Sequence, residues 1–217
     1  RLRETVRDVA AMLIAAGVDP SRCVLFRQSD VPEHTELSWI LATVTAVTDL
    51  NGMHRSRGKT TEQRDSATLG QFIYPMLVAA DVLAYRADEV LGGGDQRHHV
   101  DLMGTIVERF NSRYGDTLVV PDVRIPQIGA QIMDLRHPDR KMSTTGDDEL
   151  GAIHILDEPD VIVEKVRGAV TAPGSAVSRE AGDAGIANLI EIMAAVRGID
   201  PEQVERVLEG RDHVAFQ

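Results

Sequence analysis

The stretch EVLGGGDQRHHVDL, residues 89–102, decides the fold. Glu89 to Leu91 is typical of a short strand, and it runs into three glycines before a helical pattern that continues to about Tyr114. Glycines between a strand and a helix N-terminus allow backbone N–H groups to approach an anion or a ribose closely. The stretch therefore predicts an α/β layer with a binding site where the strand ends.

The polar residues of this turn allow more than one interpretation. Asp95 and Gln96 stand at the predicted helix start, where a carboxylate and an amide can bind hydroxyl groups, but Asp95 can equally act as a plain N-cap. His98 and His99 are adjacent, so on a helix they point about 100° apart, and the sequence places no third ligand nearby. They do not predict a metal site.

The preceding helix, predicted over about residues 72–86, carries a carboxylate inside an apolar run. Asp81 lies seven residues after Tyr74, and Val78 falls between them, so the three side chains share one face. An unpaired buried carboxylate is costly, so Asp81 needs a donor. The stripe suits a small molecule with an apolar body and an N–H group, because an ionised Asp only accepts hydrogen bonds. A core arginine or a helix N-terminus is the alternative partner.

Two basic segments are candidate phosphate contacts. Residues 51–68 form a polar stretch that includes Lys59, and the alternative to a phosphate or RNA contact is a solvated linker. Residues 140–146, RKMSTTG, place Lys141 before hydroxyl side chains and a glycine. Such groups can stabilise a transferring phosphoryl group, although the pattern alone also fits a solvated loop.

Composition limits the class of protein. The 217 residues are 43% hydrophobic and have a formal net charge of -11, so any contact with nucleic acid must come from local basic patches. No apolar run approaches the roughly 20 residues that cross a bilayer, and no signal peptide is recognisable, which predicts a cytoplasmic protein. Cys23 is the only cysteine, which excludes an internal disulfide, and it is expected in the core.

The chain is predicted to change character near residue 152. Strand candidates are all on the N-terminal side, at residues 23–26, 89–91, 118–120 and 132–135. Helical patterns follow at 157–171, 184–197 and 201–209. The prediction is an α/β domain over residues 1–151 and a helical domain over residues 152–217.

Taken together and in order, these motifs resemble the tryptophanyl-tRNA synthetases, class I enzymes of the Rossmann type. The segments that carry the resemblance are YPMLVAADVLAY (74–85), GGGDQRHHVDL (92–102), ERFNSRYG (108–115), RIPQIGAQIMDL (124–135) and RKMSTT (140–145). QSDVPEHTELSWIL (28–41) and DEPDVIVEKVRGAVT (157–171) extend it over nearly the whole chain. The resemblance implies a partial Rossmann-type fold with an appended all-helical domain, the start of an anticodon-reading region.

The resemblance also assigns roles to residues. Asp81 matches the acceptor of the indole N–H, and Tyr74 and Gln96 match positions that hold the α-amino group of tryptophan. Val78 stands in the same pocket, where the family often has Met. The residues that match ATP contacts are Gly93, Asp95, Ile132, Met133, Lys141, Met142 and Ser143. The residues that match catalytic positions on the phosphates are Lys141, Ser143 and Lys59.

The implied reaction is activation of L-tryptophan by ATP with Mg2+, followed by transfer to tRNA, in a homodimer. The family's first signature, of the H-x-G-H or I-G-N type, is not found in these 217 residues, so this chain by itself is expected to be an inactive fragment or a degenerate relative. Thr144 and Thr145 depart from the family's KMSKS loop and remove one positive charge. The alternatives are a tyrosyl-type synthetase, which the Asp81 helix disfavours, and a non-catalytic paralogue that binds tryptophan or its adenylate.

Overall fold

The computed structural model describes residues 2–56, 68–93, 96–143, 148–172, 177–181 and 183–211. The chain divides into two compact units, Arg1–Ile125 and Pro126–Gln217. Among the residues described, no helix is long and apolar enough to span a membrane.

The first unit is mainly helical and contains a small sheet. Its described elements are α1 (Leu2–Ala15), α2 (Glu33–Ala42), α3 (Val47–Ser56), α4 (Leu69–Leu83), β1 (Glu89–Leu91), α5 (Arg97–Tyr114) and β2 (Asp122–Arg124). Helix α4 is central because it packs against α2, α3 and α5. The largest apolar side chains buried there are Leu41, Met76, Leu83, Met103 and Ile106.

The strand, glycine turn and helix predicted around residue 92 are present. Strands β1 and β2 pair in parallel, with Val90 opposite Val123, and α5 provides the crossover between them. This β–α–β arrangement confirms the α/β prediction. It also puts the glycine turn at the carboxyl end of β1, which is the edge where open α/β sheets bind their ligands.

The predicted strand at 118–120 is wrong in position, because the second strand is Asp122–Arg124. The side chain of Asn111 explains the shift. Its Oδ1 accepts hydrogen bonds from the backbone N–H groups of Thr117 and Leu118, at 3.1 and 3.0 Å, and its Nδ2 donates to the Leu118 carbonyl at 2.8 Å. The backbone groups that a strand would use at Leu118 are therefore occupied.

Two further local predictions are corrected. Cys23 to Phe26 is not a strand, and Cys23 is exposed rather than in the core, because a turn forms in which its N–H donates to the Asp19 carbonyl. Within the predicted loop 51–68, residues 51–56 belong to α3, whose Leu50 and Met53 are buried at helical spacing. Residues 57–67 lie outside the described part.

The second unit contains α6 (Pro159–Arg167), α7 (Ala184–Arg197) and α8 (Pro201–Val207). Helix α7 has the predicted bounds, with Asp183 as N-cap and Gly198 in the left-handed conformation at its end. The predicted strand 132–135 is reduced to one antiparallel bridge between Met133 and Lys141. The ladder does not continue past Asp134, because the next N–H group, that of Leu135, donates to the Gly151 carbonyl at 2.9 Å.

The compact units and the predicted domains divide the chain at different places. The units separate at Ile125 and Pro126, whereas the predicted domain boundary lies between residues 151 and 152. Leu135 explains why the intervening segment belongs to the second unit, because it is buried against Ala169 and Leu189. Compactness does not define the limits of a catalytic domain, so the boundary at 151/152 stays a prediction.

A buried ion pair holds the start of the helical segment. The Lys165 ammonium group, only 5% exposed, donates to the Asp157 carboxylate at 2.7 Å and to the Ala152 carbonyl at 2.8 Å. Asp157 also accepts from the His154 N–H at 2.8 Å. These bonds attach α6 to residues 152–157, the segment that follows the phosphate-loop candidate.

We expect Asp157→Asn to destabilise the protein at neutral pH and to lose this effect in acid. The Lys165 hydrogen bond, followed by that of the His154 N–H, holds the pKa of Asp157 below its ordinary value of 3.8. A carboxyl group with a lowered folded pKa stabilises the fold above its unfolded pKa, and this contribution is lost as the pH falls through the folded pKa. The difference in the free energy of unfolding between parent and variant, measured with urea at several pH values, should therefore shrink from about pH 5 downwards.

The exposed pair of Asp139 and Arg140 provides the control for this pH series. Its charged atoms are 3.9 Å apart and both side chains are largely exposed, so Asp139→Asn should change stability little at any pH. If the difference in unfolding free energy between the parent and Asp157→Asn stays constant down to about pH 3, the prediction is contradicted.

Candidate active site

Asp81 on α4 has the hydrogen-bond donor that the sequence required. The Nε2 group of Gln28 donates to both carboxylate oxygens, at 2.9 and 2.8 Å. The donor is therefore a neutral amide from a short 3-10 turn at Gln28–Asp30, and among the described residues neither a core arginine nor a helix N-terminus takes this role. The Asp81 side chain is 36% exposed, so its oxygens remain accessible to a small molecule.

A buried imidazole lies behind this carboxylate. His34 is 2% exposed, its Nδ1 lies 3.5 Å from Asp81 Oδ1, and its Nε2 makes a 2.8 Å hydrogen bond with the Tyr85 hydroxyl. The Phe26 ring lies 5.8 Å from the His34 ring and 6.0 Å from the Tyr85 ring. Asp81 thus lies beside an amide and an imidazole, and the imidazole in turn packs against two aromatic rings.

Sequence reasoning missed four members of this group: Phe26, Gln28, His34 and Tyr85. Tyr85 could have been found, because it lies four residues after Asp81 and so one turn further on the same helix face. Gln28 and His34 lie in the segment that resembles the family, but nothing in their local pattern points to Asp81.

Tyr74, at the other end of the α4 stripe, lies between two buried histidines. Its ring centroid is 6.3 Å from that of His54 on α3 and 5.8 Å from that of His99 on α5, the latter edge to face. Val78 is partly buried and packs against the core cluster of this unit. At one end of this helix face, Tyr74 therefore contacts two histidine rings, and at the other end Asp81 accepts from an amide.

The glycine turn is tightly packed against the first residues of α5. A Cβ atom at Gly92 would overlap Cγ and Cβ of Gln96, so a larger residue there requires the Gln96 side chain or the turn to shift. The Gln96 N–H donates to the Gly93 carbonyl at 2.9 Å. Because His99 lies one turn after Gln96, the contact of Tyr74 with His99 brings Tyr74 to the start of α5. Asp95 lies outside the described residues.

The two adjacent histidines have different surroundings. His99 is buried against Tyr74, whereas His98 lines a cleft of about 320 Å³ between α3 and α5, together with Asp49 and Asp101. In this cleft the Arg109 guanidinium donates to Asp49 and holds the pKa of that carboxyl below its ordinary value.

The phosphate-loop candidate in the second unit begins on the bridge between Met133 and Lys141. The Met142 N–H donates to the Ile132 carbonyl at 2.9 Å, and the Asp134 N–H donates to the Arg140 carbonyl at 2.8 Å. These bonds bring the predicted adenine-side residues Ile132 and Met133 next to the predicted phosphate residues.

The Lys-Met-Ser run alternates between exposed and packed side chains. Lys141 and Ser143 are exposed, whereas Met142 is partly buried and packs against the cluster of Leu135, Ala169 and Leu189. The methionine thus anchors the run in the unit while its neighbours face outward. The predicted phosphate contact Lys59 and the altered residues Thr144 and Thr145 lie outside the described part of the chain.

Comparison with known proteins identifies what this chain is similar to. Residues 1–213 match the family model described as tRNA synthetases class I (W and Y). The whole chain is 44% identical to the tryptophan--tRNA ligase of Leifsonia xyli subsp. xyli and 37% identical to that of Bacillus anthracis. It spans only about 65% and 66% of the lengths of these two curated relatives.

Solved structures give the same fold. The structure of tryptophanyl-tRNA synthetase from Mycoplasma pneumoniae has a TM-score of 0.82 at 25% identity, over 96% of this chain and 65% of that one. That of the enzyme from Campylobacter jejuni complexed with ADP and tryptophane has a TM-score of 0.66 at 27% identity, over 96% and 64% of the two chains. The tyrosyl-tRNA synthetase of Aeropyrum pernix, with a TM-score of 0.66 at 21% identity, covers 94% of this chain and 59% of its own and shares the fold alone. The predicted class I Rossmann-type fold is confirmed.

Proposed function

The chain belongs to the class I tRNA synthetases for tryptophan and tyrosine, and on this premise we propose that it carries the amino-acid pocket and the phosphate loop of a tryptophan--tRNA ligase. The reaction is attack of the tryptophan carboxylate on the α-phosphate of ATP, which forms tryptophanyl-adenylate and releases pyrophosphate. The aminoacyl group then passes to the tRNA 3′ end. Mg2+ accompanies ATP in this proposal.

The accessible carboxylate of Asp81 is the observation that carries the proposal. An indole N–H only donates and an ionised carboxylate only accepts, so the two are complementary. The Gln28 amide holds the carboxylate through both of its oxygens, and the remaining lone pairs of these oxygens can accept from the substrate. Val78, on the same helix face, meets the apolar body of the amino acid, and Tyr74 and Gln96 hold its α-amino end.

Lys141 and Ser143 are proposed to act on the ATP phosphates. Both side chains are exposed while Met142 anchors the run, so the ammonium and hydroxyl groups can reach a ligand without unfolding the base of the loop. Catalysis of this kind depends on positioning and on stabilising the developing charge. The remaining proposed ATP contacts are Gly93, Asp95, Ile132, Met133 and Met142, with Lys59 on the pyrophosphate.

A non-catalytic binder of tryptophan or its adenylate is the second candidate. Thr144 and Thr145 stand where the family's loop has lysine and serine, which removes one positive charge near the phosphates. A homodimer stays a prediction of the family resemblance, and a cytoplasmic location stays a prediction of the sequence pattern.

Tryptophan-dependent exchange of pyrophosphate into ATP, measured on the complete gene product, tests the proposal. We expect exchange with tryptophan, and exchange at least about 100-fold slower with tyrosine, because a pocket built for one hydrogen-bonding pattern rejects another strongly. Tryptophan binding without exchange would favour the binder. Exchange that prefers tyrosine would overturn the assignment of Asp81.

A further inference from the structure

A buried asparagine on α7 makes two hydrogen bonds to the backbone of a single residue. Asn188 is 5% exposed, its Oδ1 accepts from the Met133 N–H at 2.8 Å, and its Nδ2 donates to the Met133 carbonyl at 2.8 Å. The side-chain amide therefore pairs with Met133 as a residue of a neighbouring strand would. Both of its polar atoms are satisfied, which a buried amide requires.

The other side of Met133 faces the phosphate loop. Met133 lies opposite Lys141 in the antiparallel bridge, and the bonds that close this bridge are made by the residues on either side of each partner. The N–H and C=O groups of Met133 therefore point away from Lys141, and Asn188 takes both of them. The side-chain amide thus makes the two hydrogen bonds that a residue of a third strand would make to Met133.

The second chain of the bridge is held by an apolar cluster to which the next residue of α7 belongs. Leu189 is 3% exposed and forms this cluster with Leu135 and Ala169, and Met142 packs against it. Asn188 thus fixes one chain of the bridge through the backbone of Met133, and the cluster holds the other through the side chain of Met142. The position of Lys141, which lies between these two attachments, follows from them.

We propose that Asn188 is a positioning residue for the phosphate loop, setting the place of Lys141 through Met133. This inference rests on the proposed role of Lys141 toward ATP. Asn188 acts only through the bridge and does not contact the substrate. Its loss should therefore affect the use of ATP and leave the use of tryptophan unchanged, because the residues proposed for tryptophan lie in the first unit.

Asn188→Leu tests this, because leucine has nearly the same size and forms neither hydrogen bond. In the complete gene product we expect kcat/KM for ATP in pyrophosphate exchange to fall by about 10-fold to 100-fold, since small displacements of a catalytic group have effects of this order. The KM for tryptophan should stay within about twofold. Asn188→Ser is smaller and keeps a hydroxyl that can donate or accept one hydrogen bond, so it should give a smaller loss, and it carries the test if the leucine variant does not fold.

Asp183→Ala is the matched control for stability. Asp183 caps the same helix by accepting from the N–H groups of Gly185 and Ile186, at 2.9 and 3.2 Å, and also accepts from the Ala172 N–H at 2.6 Å. Its loss should lower the Tm, as the loss of an N-cap does, while the KM for ATP stays close to the parent value. Equal changes in ATP use for Asn188→Leu and Asp183→Ala would overturn the proposal.

Hydrogen exchange gives a readout that does not depend on activity. The amides of Met133, Asp134 and Met142 should exchange faster in Asn188→Leu than in Asp183→Ala, because the bridge loses its attachment only in the former. If the parent protein shows no pyrophosphate exchange, the proposed function fails, and the amide rates still decide whether Asn188 holds the bridge. Unchanged protection at all three amides would overturn the positioning role.

Discussion

Replacing Lys141 with methionine is expected to lower kcat for tryptophan-dependent pyrophosphate exchange by about 100-fold to 1000-fold, the usual loss when one preorganised charge-stabilising donor is removed. Methionine keeps the length and the apolar stem of the side chain and removes only the ammonium group. The base of the loop should survive the change, because the bridge to Met133 uses backbone groups and Met142 provides the anchor. Steady-state exchange kinetics with varied ATP and varied tryptophan would measure the effect.

Arg140 provides the matched control for Lys141. It is an adjacent exposed cation, 72% exposed at the side chain, and it lies 3.9 Å from a carboxylate oxygen of Asp139. Arg140→Met removes the same charge from the same loop. If only the overall positive potential of the loop mattered, kcat would fall equally in the two variants. We expect Arg140→Met to retain activity within about threefold, as exposed charges at this distance contribute little. Similar losses in the two variants would refute a specific role for Lys141.

Local patterns predicted the elements whose signals lie close together in the sequence. Helix α7 begins after a capping Asp183 and ends at Gly198, and both signals are readable within one helix length. The strand, glycine turn and helix around Gly92 were predictable for the same reason. The three-residue strand β2 was not, because its position depends on Asn111, whose side chain captures the backbone at Leu118.

In the candidate site, too, some features could be predicted from neighbouring residues, and others depend on residues distant in the sequence. The need of Asp81 for a donor was evident from its apolar neighbours, since an unpaired carboxylate there is costly. The identity of the donor was not, because Gln28 lies 53 residues away and carries no periodic signal. Asn188 is 55 residues from Met133, and only the packing of α7 against the bridge reveals its role. Sequence therefore predicts that a polar group needs a partner, and tertiary structure selects the partner.

Asp81→Ala should reduce kcat/KM for tryptophan by about 10-fold to 150-fold, which corresponds to the roughly 1.5–3 kcal/mol of a hydrogen bond to a charged group. The loss is expected in binding, since the indole N–H lies far from the reacting carboxylate of the substrate. Pyrophosphate exchange at varied tryptophan and saturating ATP would measure it. Val78→Met is the control for pocket shape, because it changes the volume beside the indole and leaves the acceptor and its Gln28 and His34 partners in place.

A substrate analogue separates hydrogen bonding from folding in this prediction. Asp81→Ala also removes the acceptor of the Gln28 amide and the neighbour of the His34 ring, so part of its effect could come from local rearrangement. 1-Methyltryptophan lacks the indole N–H, so the parent should use it with a lower kcat/KM than tryptophan. For this analogue, Asp81→Ala should lower kcat/KM by no more than about twofold, which is within the usual error of independent effects. Val78→Met, in contrast, should change the relative affinities of the two substrates. Equal losses for tryptophan and 1-methyltryptophan in Asp81→Ala would mean that Asp81 supports the surrounding ring cluster and does not bind the substrate.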